Sequence, residues 1–253
     1  MKYSLQRASM LKRISAWLLD AILLCIVATF MMFLLSAILN YDSYSQTLEA
    51  RYAYYEAEYG VSREITAEQI AVMSPEELSR IEAASKAIAE DSEAMYAYNM
   101  IVQLIILMTS FGLLLAFVIM EFAVPMLFKN GQTIGKKVFG IGVMLSNGVR
   151  VNGVTMFART VLGKYTIETM IPVMVGLMLY FGAMGMIGWI VIGVIILGEI
   201  ILLVTSHERY MIHDKLANTV TVDLASQMIF SSPADLLAYQ EKVAAEKAAN
   251  QVY

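Results

Sequence analysis

Three acidic residues, Asp20, Glu121 and Glu199, lie inside otherwise apolar runs of this sequence. A charged side chain at the centre of a bilayer costs about 2.5–3.5 kcal/mol on insertion scales, so such a residue normally has a partner or a function. A carboxylate in these surroundings is able to hold a proton at one moment and a small cation at another. One interpretation of the pattern is therefore an ion- and proton-binding site that is built from these three acids.

Basic residues and a proline leave a second interpretation of the buried acids open. Arg13 precedes Asp20 by seven residues, nearly two helical turns, so both side chains lie on one stripe about 10.5 Å apart. An acid on such a stripe is equally suited to a structural ion pair with a base from another helix. Pro125 cannot donate a hydrogen bond to the carbonyl of Glu121, which predicts either a cation or water site or an ordinary proline kink.

Catalytic and cofactor sites find little support in the sequence. Cys25 is the only cysteine and His207 and His213 are the only histidines, so we expect neither a cysteine zinc site nor a nucleophile with a histidine base. Segment 131–137 is rich in glycine and lysine, but it lacks the GxxxxGK[ST] spacing of a P-loop, and we expect it to lie near anionic lipid headgroups. We therefore predict no enzyme, no cofactor and no bound metal.

The composition places these residues in a membrane protein. Of the 253 residues, 58% are hydrophobic and 16% are charged, and the mean hydropathy is +0.63. Soluble domains average about 45–50% apolar and about 25% charged residues, so the excess indicates lipid-facing surface. The net charge of −4 also argues against a nucleic-acid partner. We predict an all-α integral membrane protein.

The apolar runs predict four transmembrane helices, each of which needs about 20 residues to cross a bilayer. The first run covers 14–39, and it is too long for the apolar core of a cleaved signal peptide. The second covers 100–128. The last run is about twice the needed length, so we divide it at its glycines into spans 166–181 and 186–206.

The segment between the first two spans is acidic. Residues 40–99 contain four basic and twelve acidic residues, a net charge of −8. Capping-box patterns occur at Thr66 with Gln69 and at Ser74 with Glu77, and such patterns begin helices. We predict a small helical insertion here.

The segment between the second and third spans is basic. Residues 129–165 contain six basic residues and no acid. The turn Ser146-Asn147-Gly148 predicts a short hairpin, followed by an amphipathic segment near 154–162. Because short basic loops stay in the cytoplasm, we predict that both termini and this loop lie inside and that the acidic insertion lies outside.

The predicted organisation is a basic N-terminus with the first transmembrane helix (1–39), the extracytoplasmic insertion (40–99), the second helix (100–128), the cytoplasmic loop (129–165), the third and fourth helices (166–206) and a cytoplasmic tail (207–253). No internal repeat is evident in the sequence.

This topology places four acids at a similar depth near four basic or titratable residues: Asp20, Glu121, Glu168 and Glu199 near Arg13, Arg159, Arg209 and His213. They predict either an inward-facing polar vestibule or simple mutual neutralisation.

Three blocks of sequence together resemble the RDD family of small bacterial membrane proteins. They begin at Arg13 (RISAWLLD), at Gly131 (GQTIGKK) and at His213 (HDKLANT). The arginine and two aspartates that name the family map onto Arg13, Asp20 and Asp214, and Arg159 matches an arginine that often follows the glycine loop. The acidic insertion is longer than the short connection expected of the family.

The resemblance implies a multi-pass protein of the bacterial cytoplasmic (inner) membrane, and it brings no settled activity, although some members have been linked to sodium/proton antiport. It also suggests that Asp214 pairs with Arg13 or Arg159 at the inner membrane surface. On that hypothesis, combining Arg13→Asp with Asp214→Arg should restore expression that either single change loses.

Two functions from different classes fit these observations. The first is a transporter that exchanges small monovalent cations for protons through Asp20, Glu121 and Glu199, with a homo-oligomer expected because four spans are few for a carrier. The second is a membrane scaffold or sensor that binds partner proteins through the insertion and the tail. Arg13, Arg159 and Asp214 would then be purely structural charge pairs.

Overall fold

The computed structural model describes residues 6–128, 130–206 and 210–250. The helices are, in chain order, α1 (Met10–Ile38), α2 (Tyr41–Tyr59), α3 (Ala67–Val72), α4 (Pro75–Glu90), α5 (Ser92–Phe117), α6 (Val124–Leu127), α7 (Ile134–Val138), α8 (Gly153–Phe157), α9 (Ile171–Tyr180), α10 (Met186–Thr205), α11 (Ile212–Leu216) and α12 (Pro233–Asn250). Two π-helical segments, Val118–Ala123 and Ala158–Met170, continue the helical path from α5 into α6 and from α8 into α9. The two strands are β1 (Ile141–Leu145) and β2 (Thr219–Asp223).

Within the part of the chain that the structure describes, four helices are long and apolar enough to cross a membrane: Met10–Ile38, Ser92–Leu127, Gly153–Tyr180 and Met186–Thr205. Their number agrees with the sequence prediction. The chain divides into two compact units, one formed by Met1–Thr29 with Leu113–Tyr253 and the other by Phe30–Gly112.

The third span begins earlier than the sequence predicts. The amphipathic segment near 154–162 and the predicted span 166–181 are parts of one helical path that begins at Gly153. Arg159 and Lys164 look like loop charges in the sequence, but both are paired inside the protein, to Asp214 and Glu121. The last part of the predicted loop 129–165 therefore belongs to this helical path.

The prediction of an all-α fold is incomplete, because β1 and β2 form a two-stranded antiparallel sheet. The predicted turn at 146–148 exists, with the Gly148 amide donating to the Leu145 carbonyl at 2.9 Å. Its hairpin is limited to an isolated bridge between Met144 and Arg150. The main partner of β1 is β2, which lies far along the chain and so escapes a local sequence pattern.

Three segments that are far apart in sequence pack into one layer within the unit Met1–Thr29 with Leu113–Tyr253. They are the N-terminal segment, β1 and β2. Gly142 in β1 pairs with Val222 in β2. On the other edge of β2, Arg7 of the N-terminal segment bridges to Val222, and the Ala8 amide donates to the Thr221 carbonyl. The N-terminal segment, the basic loop and the segment after α10 therefore meet in one layer.

The unit Phe30–Gly112 contains the acidic helices. Both predicted capping boxes are confirmed, at the start of α3 and of α4. The helix that begins at Pro75 stops at Glu90, because Asp91 has an extended backbone and caps α5 by accepting the amides of Glu93 and Ala94. Arg51 of α2 donates its Nε to Asp91 at 2.6 Å. This carboxylate therefore ties α2 to the start of α5.

The pKa of Asp91 is lowered to about 2, chiefly by the backbone amide of Ala94 and then by Arg51 and Tyr55. A lowered pKa in the folded state contributes stability above the unfolded value of 3.8, and the contribution is lost as the pH falls toward about 2. We expect Asp91→Asn to lower the melting temperature of the purified protein at pH 6, and the difference from wild type to disappear near pH 2. Glu90→Gln is the control, because Glu90 forms only an exposed pair with Lys86. A difference between wild type and Asp91→Asn that does not change with pH would contradict this account.

Candidate functional site

Asp20 holds the short helix α7 against α1. Its side chain is buried, and Oδ1 accepts the backbone amide of Gly135 at 2.7 Å, while the hydroxyl of Thr133 donates to Oδ2. Thr133 is also the N-cap of α7, accepting the Lys136 amide. The carboxylate thus satisfies donors at the start of a helix, where backbone amides otherwise have no partner.

Gly135 is required by this close approach. A Cβ atom at this position would lie 2.9 Å from the Asp20 carboxyl carbon and would collide with the carbonyl of Ala16. The glycine-rich segment therefore presents its amide to a carboxylate of the same chain. Within that segment Lys136 is buried, whereas Lys137 is exposed, with its Nζ 3.9 Å from the centre of the Phe128 ring.

Lys136 lies between two of the predicted site acids. Its Nζ is 3.9 Å from Asp20 and 4.0 Å from Glu121, and it donates to the Thr133 hydroxyl at 3.2 Å. Burial lowers the pKa of Lys136 to about 8, although the neighbouring acid Glu121 opposes the change. The sequence did not identify this residue, because GKK in a basic loop looks like a solvated surface.

Glu121 has a closer cationic partner in the third span. Lys164 donates to its carboxylate at 2.7 Å. The backbone carbonyl of Glu121, which Pro125 was expected to leave free, accepts the hydroxyl of Thr160 at 2.8 Å. The neighbouring helix therefore occupies the position where the sequence allowed a cation or a water.

Asp214 lies against both arginines that the resemblance suggested as partners. Arg159 donates through Nη2 at 2.7 Å and through Nε at 3.3 Å, and Arg13 approaches at 3.5 Å. Thr219 donates to the same carboxylate at 3.2 Å. Burial opposes ionisation here, but the charge of Arg159 holds the pKa of Asp214 well below its usual range.

His213 is paired with Glu168 of the third span. The His213 backbone amide donates to Glu168 at 2.7 Å, and its Nδ1 lies 2.8 Å from both carboxylate oxygens. Burial lowers the pKa of His213, and the charge of Arg159 adds to this effect. A neutral imidazole with its proton on Nδ1 satisfies this geometry.

Glu199 does not join the other two predicted site acids. Its carboxylate lies 3.3 and 3.4 Å from the backbone amide of Ile212, at the start of α11. It is not among the described residues that line the cavity containing Asp20 and Glu121. Glu199 therefore lies apart from the pair formed by Asp20 and Glu121, and its carboxylate holds the start of a short helix. Lys129, His207 and Arg209 lie outside the described residues.

These charged groups line a cavity of about 540 Å³. Four cationic side chains line it (Arg13, Lys136, Arg159 and Lys164), with four acidic ones (Asp20, Glu121, Glu168 and Asp214) and the imidazole of His213. Apolar side chains, Trp17 and Leu24 of α1 among them, complete the wall. Within the described residues, no group of three or more His, Cys, Asp or Glu side chains is arranged to hold a metal ion.

A known protein family includes most of this chain, and the match spans the charged residues of the cavity. The RDD family model matches residues 7–218, which include Arg13, Asp20, Arg159 and Asp214. The chain belongs to the RDD family. Searches of the curated proteins and of the solved structures found no match. This RDD protein, with four apolar helices of spanning length, is a multi-pass membrane protein.

The Gly135 contact makes a direct prediction for the RDD protein. Gly135→Ala forces a methyl group toward the Asp20 carboxyl group, and overpacking of this kind costs about 1–3 kcal/mol. We expect a clear fall in melting temperature in detergent. Gly153→Ala is the matched control, because a Cβ atom there meets nothing within 4 Å. Equal stability of the two variants would contradict the proposed packing.

The two arginines on Asp214 differ in their expected importance. Breaking a buried ion pair costs about 3–5 kcal/mol, so Arg159→Gln should lower thermal stability more than Arg13→Gln, whose contact is longer and less buried.

The exchange of Arg13→Asp with Asp214→Arg should not restore expression, because the new arginine would face Arg159. Rescue by that exchange would show that Arg159 is not the main partner.

Proposed function

We propose that this RDD protein exchanges small monovalent cations for protons at the Asp20 and Glu121 carboxylates, in the cytoplasmic membrane of a bacterium. The observation that carries the proposal is the buried ammonium group of Lys136 between the two acids. This pair of carboxylates already holds one monovalent positive charge beside a cavity. We propose further that the layer of basic segments faces the cytoplasm and anionic headgroups, as short basic loops do.

The distances around Lys136 suit an exchangeable charge. Lys164 contacts Glu121 at 2.7 Å, a direct ion pair, whereas Lys136 lies 3.9 and 4.0 Å from its two carboxylates. Electrostatic attraction at these distances is strong in a medium of low dielectric, but no short hydrogen bond fixes the Lys136 ammonium on either acid. A small cation between Asp20 and Glu121 would make the contacts that Lys136 lacks.

The charge balance of the cavity couples cation binding to the loss of a positive charge. Four acidic and four cationic side chains line it, so its formal charges cancel. An added cation would leave an uncompensated charge in buried surroundings, which is costly. Binding is therefore favoured when one positive charge leaves the site, and a proton is the charge that a side chain releases most simply.

Catalysis is not part of the proposal. The ring of His213 faces Glu168, and its pKa is lowered by burial, so its polar groups serve to hold α11 rather than to activate a nucleophile. We propose that the protein is not an enzyme and works without a cofactor.

The alternative is a scaffold or sensor that acts through the acidic insertion and the tail. The unit Phe30–Gly112 is compact in its own right, and α12 is a largely exposed helix of 18 residues. Both features suit contacts with other proteins. In this alternative, the charged cavity would only hold the helices together.

The deciding experiment measures cation-driven proton movement in proteoliposomes of the purified protein, with sodium, potassium and lithium tested separately. We expect proton flux in the wild type and none in Asp20→Asn. Lys136→Gln removes the resident positive charge, so we expect cation binding without coupled proton flux. Lys137→Gln is the matched control, because Lys137 is exposed and adjacent.

Two results would contradict this account. One is coupled flux in Lys136→Gln equal to that of wild type, which would overturn the role of the resident charge and leave cation exchange itself standing. The other is flux no greater than that of empty liposomes with monodisperse wild-type protein. If deletion of 44–95 then abolished a cellular phenotype that Asp20→Asn left intact, the scaffold function would replace the exchange function.

A further inference from the structure

Two segments of the chain repeat the same elements at a constant offset of 78 residues. At this offset the π-helical segment Val118–Ala123 with α6 corresponds to the last part of α10, the short helix α7 corresponds to α11, and β1 corresponds to β2. The short helices α7 and α11 have five residues each, as do the strands β1 and β2. Three counterpart positions carry the same residue type, namely Glu121 with Glu199, Ile134 with Ile212 and Lys137 with Lys215.

The turn after each short helix is built from the same hydrogen bonds. Gly140 and Asn218 are counterparts, and both have positive φ, 65° and 49°. Asparagine is one of the few residues besides glycine that adopts this conformation readily. The matching pairs of bonds are Phe139 to Gly135 with Ala217 to His213, and Gly140 to Lys137 with Asn218 to Lys215. The likeness therefore extends to individual backbone contacts.

The register of the sheet shows how the two segments are related. Val143 pairs with its own counterpart, Thr221, at the centre of the sheet. On either side, Ile141 pairs with Asp223 and Leu145 pairs with Thr219, and each of these pairs is the counterpart of the other. This is the register of two equivalent strands around a two-fold axis that passes between Val143 and Thr221.

The first helix of each half extends the relation. Asp20 of α1 accepts the amide of Gly135, and Glu168 accepts the amide of His213, which is the counterpart of Gly135. Each acid therefore makes the same contact with the short helix of its own half. In each half a glycine allows the two helices to come this close. In the first half it is Gly135 of the short helix, which lies against Ala16 of α1. In the second half it is Gly163 of the first helix, which lies against His213 of the short helix.

The arginines fall into the same relation once the helix type is considered. Arg13 precedes Asp20 by seven residues in an α-helix, and Arg159 precedes Glu168 by nine residues in a π-helical segment. A π-helix has i to i+5 hydrogen bonds and so takes about one more residue per turn than an α-helix. Both arginines therefore lie about two turns before the acid of their half, and the different spacing hides the repeat in the sequence.

We propose that the chain consists of two equivalent halves around a pseudo-two-fold axis, and that the cavity is a single binding site built on this axis. Three pairs of counterparts line the cavity: Arg13 with Arg159, Asp20 with Glu168, and Lys136 with Asp214. Thr221, from the central pair of the sheet, also lines it. Glu168 thereby becomes the counterpart of Asp20 in the site.

The symmetry is broken where the two halves contribute opposite charges. Lys136 and Asp214 occupy the same position of α7 and α11, and each is surrounded by charges of the other sign. Two identical subunits would place like charges at these two positions. One fused chain can therefore place opposite charges at two equivalent positions of the cavity, which a symmetric pair could not.

What this inference implies for transport rests on the proposed function. Parallel repeats that are related by an axis along the membrane normal form substrate sites between their halves in known carriers. A single RDD chain then contains both halves of its site, which removes the reason for expecting a homo-oligomer. The symmetry itself does not depend on the transported ion.

Distances between paired spin labels test the axis directly. Leu127 and Thr205 are exposed counterparts, as are Lys137 and Lys215. In a Cys25→Ala background, Leu127→Cys with Lys215→Cys should give the same mean distance as Thr205→Cys with Lys137→Cys, because the axis exchanges the two pairs. The pairs within one half, Leu127→Cys with Lys137→Cys and Thr205→Cys with Lys215→Cys, should likewise agree.

The results separate this inference from the proposed function. In either comparison, a difference between the two mean distances that exceeds the width of the measured distance distributions would overturn the pseudo-two-fold relation. This holds whether or not the protein transports ions. Equal distances without ion flux would support the axis and remove only the exchange function. If the protein transports, flux per chain should stay constant when proteoliposomes are diluted to about one chain per vesicle, and loss of flux on dilution would overturn the single-chain site.

Discussion

A carboxylate that is removed from water must have its oxygens satisfied by donors of the protein, and Asp20 meets this requirement with the Thr133 hydroxyl and the Gly135 amide. This interaction fixes α7 against α1 and so determines where Lys136 and β1 lie. The strand in turn pairs with β2, which follows α11 and Asp214 directly. The positions of Lys136 and of the first strand therefore depend on a contact between one acid and one short helix.

The same constraint explains why the buried charges form a network. Each acid in the cavity has a basic or imidazole neighbour: Lys136 for Asp20, Lys164 for Glu121, His213 for Glu168 and Arg159 for Asp214. A buried pair contributes little net stability compared with apolar packing, but the loss of one partner is costly. Such a network specifies how the helices meet and leaves a neutral cavity, in which a change of charge at one residue affects all the others.

The sequence predicted the elements that depend on local patterns. Hydropathy located the helices that contain Asp20 and Glu121, and the capping boxes at Thr66 and Ser74 are confirmed. It could not predict the pairing of β1 with β2, which joins distant segments, or the burial of Lys136 in a basic loop. Glu199 looked equivalent to Glu121 in the sequence, and it is the positional counterpart, but only the structure shows that its carboxylate faces the backbone of α11.

Hydrogen–deuterium exchange of the full chain in lipid nanodiscs tests most directly whether these acids anchor the short helices. The account predicts that Asp20→Ala raises amide exchange in 130–140 and leaves 211–218 at the wild-type level. Glu168→Ala should have the converse effect, because its carboxylate holds His213. Unchanged exchange of 130–140 in Asp20→Ala, with the protein folded and monodisperse, would contradict the account at its starting point.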